Sequence, residues 1–206
     1  DTLVADKLLL SRTERGREKK ARLEQEAEEK LKRSELLRDM MWLLGSQKAP
    51  REAACDLLKK AGGYLGLDIA AVYHRIQGQR PQMAVKWSKK EKIWEFESDP
   101  AISWPPILTA ERNLILSSNT VLGEEEKEQL ESLELRALMI MPLKQSQEQE
   151  LWVCFGVAEG ERIWELEEIR FLGETVRILQ SILAELGMKE PPKRRNPSGA
   201  NKRKKK

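Results

Sequence analysis

The feature that most constrains this chain is a helix with two apolar faces near its C-terminal end. The segment ERIWELEEIRFLGETVRILQSILAEL, residues 161–186, has helical periodicity, but its apolar positions cover more than one core-facing stripe. One row follows 3,4,3,4,3 spacing and comprises Ile169, Leu172, Val176, Leu179, Leu183 and Leu186. A second row lies about 110° round the helix and comprises Phe171, Ile178 and Ile182. We therefore expect one face to cover a sheet and the other to meet a helix.

A candidate for that partner helix stands at the start of the chain. Residues 1–46 consist largely of strong helix formers, and a heptad pattern places Leu37, Met41 and Leu44 on one seam. Farther toward the N-terminus the seam contains poor residues such as Lys20, so a solvated single helix is the alternative to a parallel dimeric coiled coil. The seam leucines and methionine can meet the last helix of the same chain or that of a second subunit. Two such pairs would form a four-helix bundle.

Residues 47–188 have the pattern of one α/β (α+β) domain. Pro50 is well placed in the first turn of a helix, and a further helix begins after Gly123, where three glutamates favour a helix N-terminus. Three prolines make most of the stretch from 91 to 118 irregular. The predicted strands are 68–78, 82–89, 114–118, 135–143 and 151–160, with a polar hairpin loop at 144–150.

Charge divides the chain into an acidic body and a basic tail. The net charge is +3, but residues 189–206 carry nine Lys or Arg and one Glu, which is +8, so residues 1–188 sum to −5. The tail contains prolines and no periodicity, which predicts disorder. Its cations could contact an anionic membrane or nucleic acid through phosphate charge, or could simply keep the protein in solution.

The residues offer little chemistry for catalysis. Cys55 and Cys154 are isolated and form no CxxC, which fits a reducing cytoplasm, and the longest apolar run, residues 137–141, is too short to span a membrane. His74 is the only histidine, so no pair of histidines can hold a metal or act as a dyad within one chain. Phosphate-binding glycine motifs are absent as well. We expect a non-enzymatic, cytoplasmic protein with no cofactor and no metal.

Aromatic residues concentrate around the long irregular stretch. Trp87, Trp94 and Trp104 lie in or next to it, and Tyr73 and Trp152 lie on neighbouring predicted strands. Such a group could line a pocket for a small apolar or planar ligand. The alternative is that the rings fill the pocket and form part of the core.

The order of elements and the last third of the chain resemble the GAF domain family. The sequence ALMIMPLKQSQEQELWVCFGVAEGERIWELEEIRFLGETVRILQSIL is similar to the closing unit of that family: a strand ending in Pro-Leu, a polar turn, a strand, and a helix with Glu-Ile and Phe-Leu. The resemblance covers roughly residues 35–187 and implies a mostly antiparallel sheet between helices. Neither cysteine is followed by the histidine typical of bilin attachment, and the cyclic-nucleotide signature is not traceable.

The resemblance also implies a role. GAF domains look like sensory and dimerisation modules of signalling proteins, often joined by coiled coils, so we expect a regulatory homodimer with an upstream or separate signalling partner domain. The expected dimer interface consists of Leu37, Met41, Leu44, Leu172, Val176, Leu179 and Leu183. The competing hypothesis is a dimeric scaffold whose basic tail contacts nucleic acid or an anionic membrane.

Overall fold

The structure of this protein is a computed structural model, and it describes residues 2–91 and 104–184. The helices of this described part are α1 (Thr2–Met41), α2 (Pro50–Leu65), α3 (Glu124–Ser132) and α4 (Leu166–Ala184). The strands are β1 (Ile69–Ile76), β2 (Gln82–Ser88), β3 (Leu114–Leu116), β4 (Ala137–Gln145) and β5 (Gln149–Val157). Short 3-10 turns occupy Trp42–Gly45 and Pro106–Thr109. The predicted α+β architecture is confirmed.

All strand pairs of the sheet are antiparallel, in the order β2-β1-β5-β4-β3. The central strands β1 and β5 are buried on both faces, which explains their nearly continuous apolar sequences. Side chains alternate between two apolar cores. Ala70, Val72 and Val153 face the core under the helices, whereas Tyr73 and Trp152 face the opposite core.

Helices α2 and α4 cover the sheet face that contains Ala70, Val72 and Val153. Helix α2 begins and ends at residues that favour a helix start and a helix end. Pro50 occupies the first turn, and Gly66 terminates the helix with a φ of 64°, a conformation that glycine adopts without strain. Within α2, Gly62 lies so close to Trp87 of β2 that a Cβ at this position would stand 2.0 Å from the ring. Trp87 therefore packs under α2, on the sheet face opposite Tyr73 and Trp152.

The second apolar face of α4 meets the C-terminal end of α1 in the same chain. Met40 has no exposed surface, and the Thr175 hydroxyl lies 3.9 Å from its sulfur. Leu37 is half-buried against the same core. Arg33 also reaches Glu167, with 2.8 Å between the guanidinium nitrogen and the carboxylate oxygen. The sequence left open whether this face of α4 meets α1 of the same chain or α1 of a second subunit. In this structure it meets α1 of the same chain.

The predicted dimer interface stays a prediction, and its residues differ in how much surface they expose in the single chain. Leu172 and Leu179 have no exposed surface in the single chain, and Val176 and Leu183 are at most 8% exposed. In the single chain all four side chains belong to the core under the helices. Met41 is 58% exposed and Leu44 is 37% exposed, so among the predicted interface residues these two present the most surface to a second subunit.

Helix α4 begins at Leu166 rather than at residue 161, because the preceding residues run beside the end of β3. The Ser118 amide donates to the Arg162 carbonyl at 2.8 Å, and the Trp164 indole donates to the Leu116 carbonyl at 3.0 Å. The Glu165 amide then donates to the Glu168 carboxylate at 3.0 Å, which caps the new helix. Long-range hydrogen bonds thus compete successfully with the helical pattern of 161–165.

Other boundaries differ by a few residues or are not tested. Strands β4 and β5 extend into the predicted hairpin loop of 144–150 and leave only 146–148 between them. The division of the chain into 1–46, 47–188 and 189–206 stays a prediction, and the basic tail lies outside the described residues. No helix in the part of the chain that the structure describes is long and apolar enough to cross a membrane.

Candidate functional site

Three of the five predicted pocket aromatics come together on the sheet face opposite α2 and α4. The Tyr73 and Trp152 rings, on β1 and β5, are stacked with 5.5 Å between their centroids. The Trp104 ring lies 5.3 Å from Tyr73 in a tilted arrangement. Tyr73 and Trp152 are almost completely buried, and Trp104 is 9% exposed. Trp94 lies outside the described residues.

The polar atoms of these rings hold the segment that follows Trp104. The Tyr73 hydroxyl donates to the Leu108 carbonyl, and the Trp152 indole donates to the Ala110 carbonyl at 3.0 Å. The Ile107 amide donates to the Gln129 side chain of α3 at 2.7 Å. These bonds satisfy groups that would otherwise be buried without partners. The aromatic cluster of Tyr73, Trp104 and Trp152 is therefore packed as part of the core, and hydrogen bonds from Tyr73 and Trp152 join it to the segment after Trp104.

Burial also keeps the titratable groups of this core neutral. It raises the pKa of the Tyr73 hydroxyl well above its usual value, so the phenol remains a donor at physiological pH. It likewise raises the pKa of the Cys154 thiol, which is completely buried. A thiol without access to solvent or to its thiolate form is a poor nucleophile.

His74 lies on β1 at the opposite face from Tyr73. Its Nδ1 atom is buried and has no hydrogen-bond partner among the described residues. Burial, and secondarily the positive charge of Arg51 on α2, lower the pKa of the imidazole. Among the residues described, no group of three or more His, Cys, Asp or Glu side chains is arranged to hold a metal ion.

Two cavities lined by described residues lie away from the aromatic cluster. A cleft of about 630 Å³ is bounded by α3, the turn after β3 and the connection from α3 to β4. A smaller groove of about 360 Å³ lies between the β4–β5 hairpin and the end of α4. Neither is lined by Tyr73, Trp104 or Trp152. The predicted pocket residues that the structure describes therefore lie outside these two cavities.

Sequence reasoning missed the residues that line the larger cleft. They are Ser118, Thr120, Leu122, Lys127, Leu130, Glu131, Glu134, Leu135, Arg136 and Ala158. Charged residues on a short helix normally indicate a solvated face, and nothing in the motif ESLELRAL marks Glu134 or Arg136 as special. The carbonyls of Leu108 and Ala110 were also missed, because backbone acceptors carry no sequence signal.

Comparison with solved structures finds the same fold in several proteins. The phycocyanobilin-bound GAF domain from a cyanobacterial phytochrome aligns with a TM-score of 0.57 and 11% identity, over 74% of this chain and 94% of that one. The GAF domain of a protein assigned as a sensor histidine kinase in Pseudomonas syringae pv. tomato aligns with a TM-score of 0.53 and 15% identity, over 78% of this chain and 91% of that one.

A third example comes from a different kind of protein. The GAF domain from an Acinetobacter phosphoenolpyruvate-protein phosphotransferase aligns with a TM-score of 0.54 and 11% identity, over 74% of this chain and 93% of that one. No protein-family model and no curated protein matches the sequence. At these identities the likeness concerns the fold alone.

Proposed function

This chain has the fold of a GAF domain, and from that premise we propose that it is a non-enzymatic sensory or regulatory module. In this role it forms a homodimer through the end of α1 and passes conformational change to a signalling domain upstream or on a separate chain. A phytochrome and a protein assigned as a sensor histidine kinase contain domains with the same fold, which supports the regulatory class.

The burial of Met40 carries this proposal. Met40 is the penultimate residue of α1 and lies completely inside the domain core, against α4. Close-packed cores transmit displacement because they have no free volume to absorb it. A change in the packing of α4 or the sheet would therefore move the end of α1, and α1 would carry that movement away from the domain.

The remainder of α1 supports dimerisation. Every side chain from Arg12 to Lys32 is exposed, a length of about 30 Å at 1.5 Å per residue. Most helical stability in proteins comes from packing against other elements, and exposed ion pairs such as Lys32 with Glu28 stabilise α1 only weakly. A second copy of α1 would provide the missing packing. Trp42, which is 74% exposed beside Met41, would add apolar area at the base of such a pair.

Sedimentation equilibrium of the full chain at micromolar concentration tests the proposal. We expect the wild type to be a dimer and Met41→Glu to be a folded monomer, because a carboxylate in the seam would be desolvated on association. Leu31→Glu is the matched control, since Leu31 is also exposed on α1 but lies one residue past the seam position Lys30, about 100° round the helix. A monomeric wild type, or equal effects of the two variants, would contradict the proposal.

The ligand of the phytochrome domain is not part of the proposed function. Covalent bilin attachment requires a reactive cysteine, and Cys154 is completely buried with a raised thiol pKa. Cys55 is half-buried between α2 and β2, with its sulfur 3.7 Å from the Lys86 carbonyl. Neither thiol has an adjacent cavity for a tetrapyrrole among the two clefts described above.

A second candidate function follows from the charge of +8 on residues 189–206. In this alternative the domain is a dimeric scaffold and the tail contacts nucleic acid or an anionic membrane. Co-sedimentation with phosphatidylserine vesicles and titration with duplex DNA, each at 50 and 200 mM salt, would detect either contact. Binding that disappears when residues 189–206 are deleted, in a protein that is dimeric with or without its tail, would favour the scaffold over the sensor.

A further inference from the structure

The larger cleft combines an apolar floor with a charged rim. Leu130 and Leu135 are at most 8% exposed and form the floor together with the partly buried Leu122 and Ala158. Its volume of about 630 Å³ lies within the range of small-molecule sites, roughly 300–1,000 Å³. The cleft is thus large enough for a compact organic molecule, and its apolar floor favours a ligand with an apolar group.

Charges of both signs surround this floor and are not paired with one another. Lys127, Glu131, Glu134 and Arg136 are exposed, and their side chains make no ion pair or hydrogen bond with any other described residue. On α1 and α4, by contrast, opposite charges three or four residues apart do pair, as with Lys32 and Glu28. The rim therefore presents two cations and two carboxylates to whatever enters the cleft.

The backbone at Glu134 adds an independent observation. Glu134 follows α3 with a φ of 55°, the only non-glycine residue of the described part in the left-handed region. The Leu135 amide donates to the Leu130 carbonyl at 3.3 Å, which is the bond that closes a helix when glycine occupies the intervening left-handed position. A side chain at this position strains the backbone. Here the strained residue places a carboxylate at the rim of the cleft.

We propose that this cleft binds a small zwitterion with an apolar body, an α-amino acid with a branched aliphatic or aromatic side chain. A simple anion would meet Glu131 and Glu134, and a simple cation would meet Lys127 and Arg136. A zwitterion can place its carboxylate near the cations and its ammonium group near the carboxylates, while its side chain covers the leucine floor. Only the regulatory meaning of this binding rests on the proposed function, because the binding itself requires no dimer.

Two-dimensional ¹H–¹⁵N NMR of the full chain, titrated with L-leucine and L-phenylalanine, tests the proposal. We expect saturable shifts confined to amides around 118–136 and 158. Two analogues of leucine isolate the role of each charge: 4-methylpentanoate lacks the ammonium group and 3-methylbutan-1-amine lacks the carboxylate. Each analogue should bind at least tenfold more weakly than leucine.

Variants separate binding from folding. Arg136→Gln should lower the affinity at least tenfold, and Glu134→Gly should do the same while raising Tm, since glycine adopts the left-handed conformation without strain. Glu128→Gln, on α3 but outside the cleft, is the matched control and should bind like the wild type.

Three results would overturn the inference: no saturable shift with either amino acid, an analogue that binds as tightly as leucine, or unchanged affinity in both cleft variants. A monomeric protein that still binds leucine would instead refute only the proposed dimeric function.

Discussion

Replacing Trp104 with alanine distinguishes a filled core from an open ligand pocket. Trp104 is 9% exposed and its ring lies 5.3 Å from Tyr73, so the substitution would empty a volume that the surrounding sheet cannot easily refill. Trp→Ala changes in cores cost about 3–5 kcal/mol, which for a chain of this size lowers Tm by roughly 6–20 °C. We expect the loss to approach the upper half of this range, because the aromatic pair itself is worth about 0.5–1.5 kcal/mol beyond its area.

Thermal unfolding followed by circular dichroism, without added ligand, gives the measurement. Val121→Ala is the control: it truncates an apolar side chain that is 96% exposed and lies outside the proposed dimer contact, and we expect a change within about 0.5 kcal/mol. Refutation would come from a Trp104→Ala protein with the Tm of the wild type. In that case Trp104 would not be packed as core, and the aromatic cluster would again be a candidate site for a planar ligand.

Three further predictions concern the opposite face of the sheet. Gly62→Ala should destabilise the domain by about 1–3 kcal/mol in urea unfolding, because the added methyl group would overlap the Trp87 ring. An unchanged urea midpoint would contradict this prediction and would mean that α2 can move away from β2. Met40→Ala should lower the free energy of unfolding by about 2–5 kcal/mol in the same assay and weaken the packing of α1 on the core. A variant as stable as the wild type would contradict the proposed coupling of α1 to the core. His74, whose pKa is lowered in the folded state by burial and then by Arg51, binds its proton more readily in the unfolded chain. Stability should therefore fall as pH decreases through about 6.5 until the lowered native pKa is passed, and His74→Gln should remove this part of the pH profile; an identical profile in the variant would refute the assignment.

Local sequence patterns were sufficient to predict the elements and their order. Each of the five strands was predicted, because buried strands have continuous apolar runs and the turns between them contain glycine, proline or polar residues. Helix α2 could be placed from Pro50, whose restricted φ suits a first helical turn. The two apolar rows of α4 predicted a helix packed on two sides, and α4 is so packed. Such inferences succeed because they depend on neighbours within a few residues.

The face of the sheet that each side chain occupies follows from the packing of the strands against one another and could not be predicted from local patterns. Paired residues on neighbouring strands point to the same face of the sheet. Trp87 is paired with Ala70 and Trp152 with Tyr73, so the strand register places Trp87 and Trp152 on opposite faces. That register includes an irregularity between Val72 and Tyr73 in the pairing of β1 with β2, and a shift of one residue exchanges the faces of a strand. Alternation within a strand is visible in a sequence, but the phase between two strands is not.

The end of α1 shows the same limit for helices. The heptad pattern of a dimeric coiled coil places Met41 on the seam. In the structure Met40 is buried against α4 of its own chain and Met41 is 58% exposed. Adjacent helical residues point about 100° apart, so a small rotation of α1 decides between them. The left-handed backbone at Glu134 is likewise set by the closure of α3 onto β4 and not by its own side chain. Sequence periodicity defines which surfaces must be covered, and only the packed chain defines what covers them.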